Sequence, residues 1–393
     1  MNRYLLCLAP LLAASACVDT RDAITGTQSL KIELKTPAGD SMNPLTSYTV
    51  TVDVSALGPE GELDTSYNNQ VQVYVNFLGT LTPYLGSPPL AQIQMAAGKA
   101  TNQTIMLPPV FGPATLWFDD GGAENPTFAS GASPTLWYRD PFIDDIQRPP
   151  DETALDVLSK SPLETKQVTV RASRHGANGR LVVTSVFAQG YTVSDVLCGA
   201  GGAPPCSVAP NPGLTPPAPG YDHKMVFSFS AARDEKGRGI QEGQVIDGFA
   251  GGVSEFNGLT EIGFPQTFVE GDVDVNPARI PAPQQLDVSW FTDKFMFERN
   301  EAAPIAIVNA KVCELDDDYA TYKQWKIDPS GTGNNCTGRN VINVISTGVV
   351  ATDPATLVGQ TLPRVVGVLR PVNIGTFNVW IIYPRSAADL QLQ

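Results

Sequence analysis

The chain has 393 residues, enough for two to four domains with separate cores. Charged residues are only 17% of it, while 35 glycines and 33 prolines punctuate it, a profile of turn-rich β-structure rather than of helical bundles or disorder. With 40 acidic against 26 basic residues the net charge is −14, which disfavours nucleic acid as a partner because phosphate binding needs Lys and Arg to displace counterions.

The first segment, Met1–Cys17, reads MNRYLLCLAPLLAASAC. Arg3 supplies a short positive region, Tyr4 to Ala14 an apolar run, and Ala14-Ser15-Ala16 three small residues, the layout of a secretory signal. The run is too short to span a bilayer, and no later apolar stretch approaches spanning length. Three small residues before a cysteine resemble the lipobox of bacterial lipoproteins. The resemblance implies that residues 1–16 are removed, that a lipid is attached to Cys17, and that the protein sits in the bacterial cell envelope, at the outer membrane. The alternative is an ordinary signal cut near Ala16. Residues 17–27 form a short tether.

Residues 28–123 carry the runs LKIEL, YTVTVDVSAL, VQVYVNFLG and ATLWFDDGG, alternating with period two and separated by Pro, Gly, Asn and Asp. That pattern predicts an immunoglobulin-like β-sandwich without its core disulfide. Residues 124–164 are rich in proline and large apolar groups, which predicts an ordered strap with Trp137, Phe142 and Ile146 buried at a junction. Glu152–Ser161, ahead of Pro162, is the one helix expected.

A second β-region spans residues 165–289 and a third residues 290–393. In the former, Asn257-Gly258 between Phe256 and Leu259 predicts a tight hairpin turn. The run from Glu242 to Phe264, with Gly252, Val253, Glu255, Phe256, Asn257, Gly258, Leu259, Thr260 and Ile262, resembles oligonucleotide/oligosaccharide-binding (OB) modules of secreted bacterial proteins, including nuclease-associated ones. The ending Val366-Gly367-Val368-Leu369, then Phe377-Asn378 and Pro384 to Leu390, is similar to the closing strand pair of the same modules. The fold class implied is all-β: an immunoglobulin-like sandwich followed by two OB-like barrels. Four cysteines remain once Cys7 leaves with the signal and Cys17 takes lipid. Local pairs Cys198–Cys206 and Cys313–Cys336 are expected, since each encloses one Gly/Pro/Asn-rich loop.

Chemical motifs are sparse. Arg171, Arg174 and Arg180 surround His175, and alternation allows Arg171 and His175 to meet on one face as an anion site; the competing reading is a solvated hairpin tip. His223 is expected to be solvent-exposed. Asp316-Asp317-Asp318, Asp119-Asp120 and Asp144-Asp145 lack the glycine-turn spacing of a calcium loop and read as solvated turns. Ser133 and Ser386 lie in no nucleophile elbow. Phe187, Tyr191, Phe227 and Phe229 could form an aromatic binding platform, although alternation puts Phe227 and Phe229 on the side expected to be core. No catalytic residue, metal or cofactor is assigned. The expectation is a non-enzymatic, membrane-anchored binding, adhesion or scaffold protein with a glycan or envelope protein as partner. The alternative is an exported accessory or cryptic metal-dependent nuclease or hydrolase.

Overall fold

The computed structural model describes residues 26–77, 88–121, 129–152, 159–210, 220–331, 336, 340–374 and 377–391. The signal segment and Cys17 lie outside the described residues, as does most of the helix expected over 152–161. The chain is mostly β, with 45% strand and 11% helix, and its sheets are curled or barrel-like.

The first sheet contains β1 (Ser29–Thr36), β2 (Thr49–Leu57), β3 (Gln70–Phe77), β4 (Ala91–Gln94), β5 (Lys99–Met106), β6 (Pro113–Asp119), β7 (Ser130–Ala132) and β8 (Leu136–Trp137). Its order is β4-β3-β6-β7-β1-β2-β5, with β8 on β6. Alternation sets its core: Val50, Val52 and Val54 of β2 face Val71 and Val73 of β3 and Leu116 and Phe118 of β6. Trp137 does not close a junction as expected. It lies on an edge, 41% exposed, and the next residue, Tyr138, is buried in its stead. A two-residue edge strand has room to bury only one of the neighbouring rings, and the pleat turns Leu136 and Tyr138 inward. Ile146 is buried and Phe142 half-buried, with the Arg139 guanidinium 4.2 Å over its ring. Both belong to a short helix that the sequence pattern does not announce, α1 (Ile143–Gln147), begun at Phe142 and closed by the Asp145 carboxylate on the Phe142 amide.

The second sheet holds β9 (Gln167–Val170), β10 (Gly179–Phe187), β11 (Gly190–Leu197), β12 (His223–Phe227), β13 (Val245–Ile246), β14 (Gly248–Phe256) and β15 (Leu259–Phe268). Its order is β13-β10-β11-β12-β15-β14-β9. Only Asp247 separates β13 from β14, so one kinked segment pairs with β10 at one end and β15 at the other, and the sheet curls on itself. The β14–β15 turn is the predicted Asn257-Gly258, with φ of 53° and 84°. Both residues need the left-handed region, which Asn tolerates and Gly accepts freely.

The third sheet repeats this connectivity with β16 (Gln284–Gln285), β17 (Pro304–Val312), β18 (Trp325–Asp328), β19 (Ile342–Val344), β20 (Thr361–Ile374), β21 (Phe377–Tyr383) and β22 (Leu390–Gln391). Here β17-β18-β19-β21-β20 closes through a direct β17–β20 pairing, and β19 runs parallel to β21 as β12 does to β15. Its core packs Trp325, Ile327, Ile342, Val344, Val365 and Leu369 beneath Trp290 and Phe297. Two further short helices are α2 (Lys294–Arg299) and α3 (Asp317–Tyr322).

Second and third sheets are joined by hydrogen bonds, Tyr221 N–H to the Arg299 carbonyl (2.8 Å) and Asn373 N–H to the Asn257 carbonyl (2.7 Å). An apolar seam of Met225, Leu259 and Ala302, with Phe187 and Phe227 against it, lies between them.

Candidate binding surfaces of the second sheet

Strand β11 decides what the second sheet can display. Every residue from Gly190 to Val196 is buried, so the strand is covered on both faces, and residues that alternation assigns to an outer face are interior. On one face Tyr191 and Val193 join the barrel core, and Asp195 continues that row. Tyr191 is 1% exposed with its hydroxyl on Thr267 Oγ1 (2.7 Å), and burial pushes its pKa above the usual phenol range. It is a core residue and not a ligand platform.

On the other face Thr184 meets Thr192 (2.9 Å) and Ser194 Oγ lies 2.7 Å from His223 Nδ1. His223 is therefore not solvent-exposed, contrary to expectation. It is 3% accessible, and burial alone pushes its pKa down to about 3, so the ring is neutral. It borders a cavity of about 190 Å³ with Ser207, Pro281, Gln284 and Pro304. Ser194 itself is fully buried. A serine that no substrate carbonyl can reach is a hydrogen-bond partner for the ring rather than a nucleophile.

The arginine cluster separates into three environments. Arg171 lies 4.4 Å over the ring of Phe268. Arg174 turns inward and grips the buried Asp222 through two bonds, Nε–Oδ1 2.5 Å and Nη2–Oδ2 2.7 Å. Arg180 donates to the carbonyls of Ala177, Gly179 and Gly201 (2.9, 2.6 and 2.6 Å). His175 caps a single 3₁₀ turn, and its buried Nε2 has no hydrogen-bond partner. Burial and then Arg174 lower its pKa to about 4, leaving it neutral. A neutral His175 supplies no positive charge for an anion. The segment is not a freely solvated tip either, because Asp195 accepts from the Ser173 hydroxyl and the Arg174 amide. Burial raises the Asp195 carboxyl to about 7 and that of Asp222 to about 6, against the pull of Arg174 on the latter.

Beside these arginines lies a cavity of about 610 Å³, bounded by Arg171, Ser173, Arg180, Val245, Asp247 and Glu270. Asp247 accepts from the Glu270 amide at 2.7 Å. The rim therefore presents both signs of charge.

The aromatic residues also depart from expectation. Phe227 is half-buried in the seam, but β12 ends there and Phe229 leaves the sheet, 70% exposed. Phe229 contacts Phe227 edge-on at 5.2 Å and Phe264 at 5.4 Å, and Phe264 is 83% exposed. Phe264, at φ 51°, is the residue the sequence reading missed; the Pro265 that follows it was the available signal of an interrupted strand.

The acidic runs are structural. Asp316 caps α3 and, with Asp318, holds Lys326. Asp119 and Asp120 accept backbone amides of Gly121 and Ala129, and Asp144 and Asp145 pair with Arg148 and Arg139. Asp316 and Asp317 are exposed, as expected of a solvated turn, whereas Asp119 and Asp120 are buried on their protein donors. Ser133 is buried, with its hydroxyl on the Leu116 amide. Among the described residues no group of three or more His, Cys, Asp or Glu side chains is arranged to hold a metal ion.

Cys198–Cys206 and Cys313–Cys336 are disulfide-bonded as expected. The first closes a short loop after β11, where Cys198 and Cys206 pack on Val182 and Val196. No family model, curated protein or solved structure matches the chain.

Proposed function

We propose that this chain is a non-enzymatic, lipid-anchored lipoprotein of the bacterial cell envelope that binds a ligand through its second β-module. The carrying observation is the aromatic group of Phe229 and Phe264, mutually packed yet 70% and 83% exposed. Two large apolar rings held against each other in water mark a contact surface, because leaving them wet forfeits burial worth roughly 1.5–3 kcal/mol each. Aromatic faces suit a glycan, whose C–H faces stack on rings while its hydroxyls find polar groups.

Connectivity supports a finer architectural reading. In both later sheets the path runs first-second-third-fifth-fourth, with third and fifth strands parallel, which favours an OB-like plan. The first sheet runs β1-β2-β5 on one side and β4-β3-β6 on the other, joined by β7, and the parallel pairing of β1 with β7 at Ser29–Ser130 favours an immunoglobulin-like plan. The lipobox-like end at Cys17 and the two disulfides support an exported address.

The test is a screen of purified soluble protein against a panel of glycans, with F229A/F264A as comparison. Binding by the native chain, weakened at least about tenfold (roughly 1.4 kcal/mol) in the double variant, supports the reading. Native binding that the double variant retains would place the ligand elsewhere. Chelator-sensitive cleavage of DNA, RNA or polysaccharide would instead establish the accessory-hydrolase alternative.

A further inference from the structure

Where α1, the second sheet and the start of the third meet, three side chains form a chain of contacts with almost no access to solvent. Lys224 on β12 and Glu301 are 0% exposed and Gln147 at the end of α1 is 1% exposed. Lys224 Nζ lies 2.5 Å from Gln147 Oε1, and Gln147 Nε2 lies 2.6 Å from Glu301 Oε1. The same carboxylate oxygen accepts the Thr260 amide (3.0 Å), while Glu301 Oε2 is buried without a hydrogen-bond partner. An amine, a primary carboxamide and a carboxyl are thus in series, with the amide carbonyl carbon one bond beyond the oxygen that the amine touches.

We propose that Lys224 and Gln147 are the precursors of an intramolecular isopeptide bond, Lys224 Nζ to Gln147 Cδ, with Glu301 as the proton carrier. The reaction is an amide exchange and needs no oxidant, metal or cofactor. The Nζ lone pair attacks Cδ, forming the new C–N bond while the carbonyl π pair moves onto Oε1. The ammonium proton of Lys224 has by then passed to a facing carboxylate such as Glu255; in the tetrahedral adduct Nζ and Nε2 share Cδ, and Glu301, as the carboxylate already on Nε2, takes a proton from Nζ and delivers it to Nε2. When the carbonyl re-forms, the Cδ–Nε2 bond breaks and ammonia leaves. One amine and one carboxamide become one secondary amide and one ammonia, and Glu301 ends as it began.

The surroundings favour this chemistry. A lysine is nucleophilic only as the free amine, and desolvation promotes that form. Burial is the dominant influence on both groups, pushing the Lys224 ammonium down and the Glu301 carboxyl up, although Glu301 itself and then Glu255, Glu298 and Glu261 face the lysine and oppose its loss of charge. A neutral amide removes a buried cation, and the proton that Lys224 shed beforehand remains to neutralise one of the carboxylates that faced it, relieving two desolvation penalties. The bond would fix the strap to β12 across 77 residues of sequence.

The deciding measurement is peptide mapping of the full native chain after reduction, alkylation and trypsin digestion. We expect Gln147 and Lys224 in one branched peptide, about 17 Da lighter than the sum of its two linear parts through loss of ammonia. K224R, which keeps the charge without a nucleophilic amine, and E301Q should each return the Gln147 peptide in linear form, with cleavage after residue 224 restored. Gln147 and Lys224 recovered from the wild-type chain in separate peptides of full mass overturns the proposal, whether or not the variants fold. A branched peptide that persists in full yield in E301Q overturns the role given to Glu301. Neither outcome bears on the aromatic contact surface, which involves different residues.

Discussion

At the scale of single residues, the second sheet is governed by polar side chains under cover. The folded His223 titrates near 3 and an unfolded histidine near 6.5, so between those values the unfolded chain holds a proton that the folded chain does not. Stability is therefore fully present above about pH 6.5 and falls with acidification by about 1.4 kcal/mol per pH unit from this one group. Urea unfolding at pH 7, 5.5 and 4.5 measures the slope, and H223N should flatten it by that amount; an unchanged slope contradicts a neutral buried ring. Arg174 makes the complementary prediction. R174M leaves Asp222 buried beside Asp144 and Asp195, at a cost of about 3–5 kcal/mol near neutral pH. Because the abandoned carboxyl can be neutralised, the deficit should shrink on acidification, and a deficit that is constant from pH 7 to 5 would mean that lost packing, not charge, is responsible.

At the scale of elements, the local sequence was most legible where turn chemistry and short loops decide. Asn257-Gly258 specifies its own hairpin, and each disulfide joins the ends of one loop. From separations of 8 and 23 residues, loop-closure entropy assigns about 2.5 kcal/mol to Cys198–Cys206 and about 3.4 kcal/mol to Cys313–Cys336. Denaturation of the two double-serine variants should rank them in that order. The reverse order would indicate that the packing of the first disulfide on Val182 and Val196 outweighs chain entropy. Short helices were poorly legible. Five residues in α1 and six in α3 are too few to show a 3.6-residue period, and α1 is held by Ile143 and Ile146 in the core rather than by propensity.

At the scale of the whole molecule, the described chain is three curled sheets with three principal cores, rich in valine, leucine and isoleucine and including Val52, Phe249 and Trp325 respectively. Contacts between the later two sheets are mixed: an apolar seam beside the buried Lys224–Gln147–Glu301 chain. The proposed lipid anchor puts the membrane attachment at Cys17, and no described helix is long and apolar enough to cross a membrane. C17S should then move the protein from the membrane to the soluble fraction on cell fractionation. A variant that still pellets with membranes shows that another part of the chain makes the attachment.

The sequence by itself determined strand content, the hairpin at Asn257-Gly258 and the two local cysteine pairs, because alternation, turn conformation and loop closure all act within a few neighbouring residues. It left undecided which strand faces are covered. Period two tells which side chains share a face, not whether another segment lies on it, so Tyr191, Ser194 and His223 could not be read as interior from their own strands. Only the tertiary structure sends Arg174 to Asp222, leaves Phe229 and Phe264 in water, and brings Gln147, Lys224 and Glu301 together from three distant stretches of chain. Those outcomes depend on long-range packing and on the desolvation it imposes, and neither is written in any local pattern.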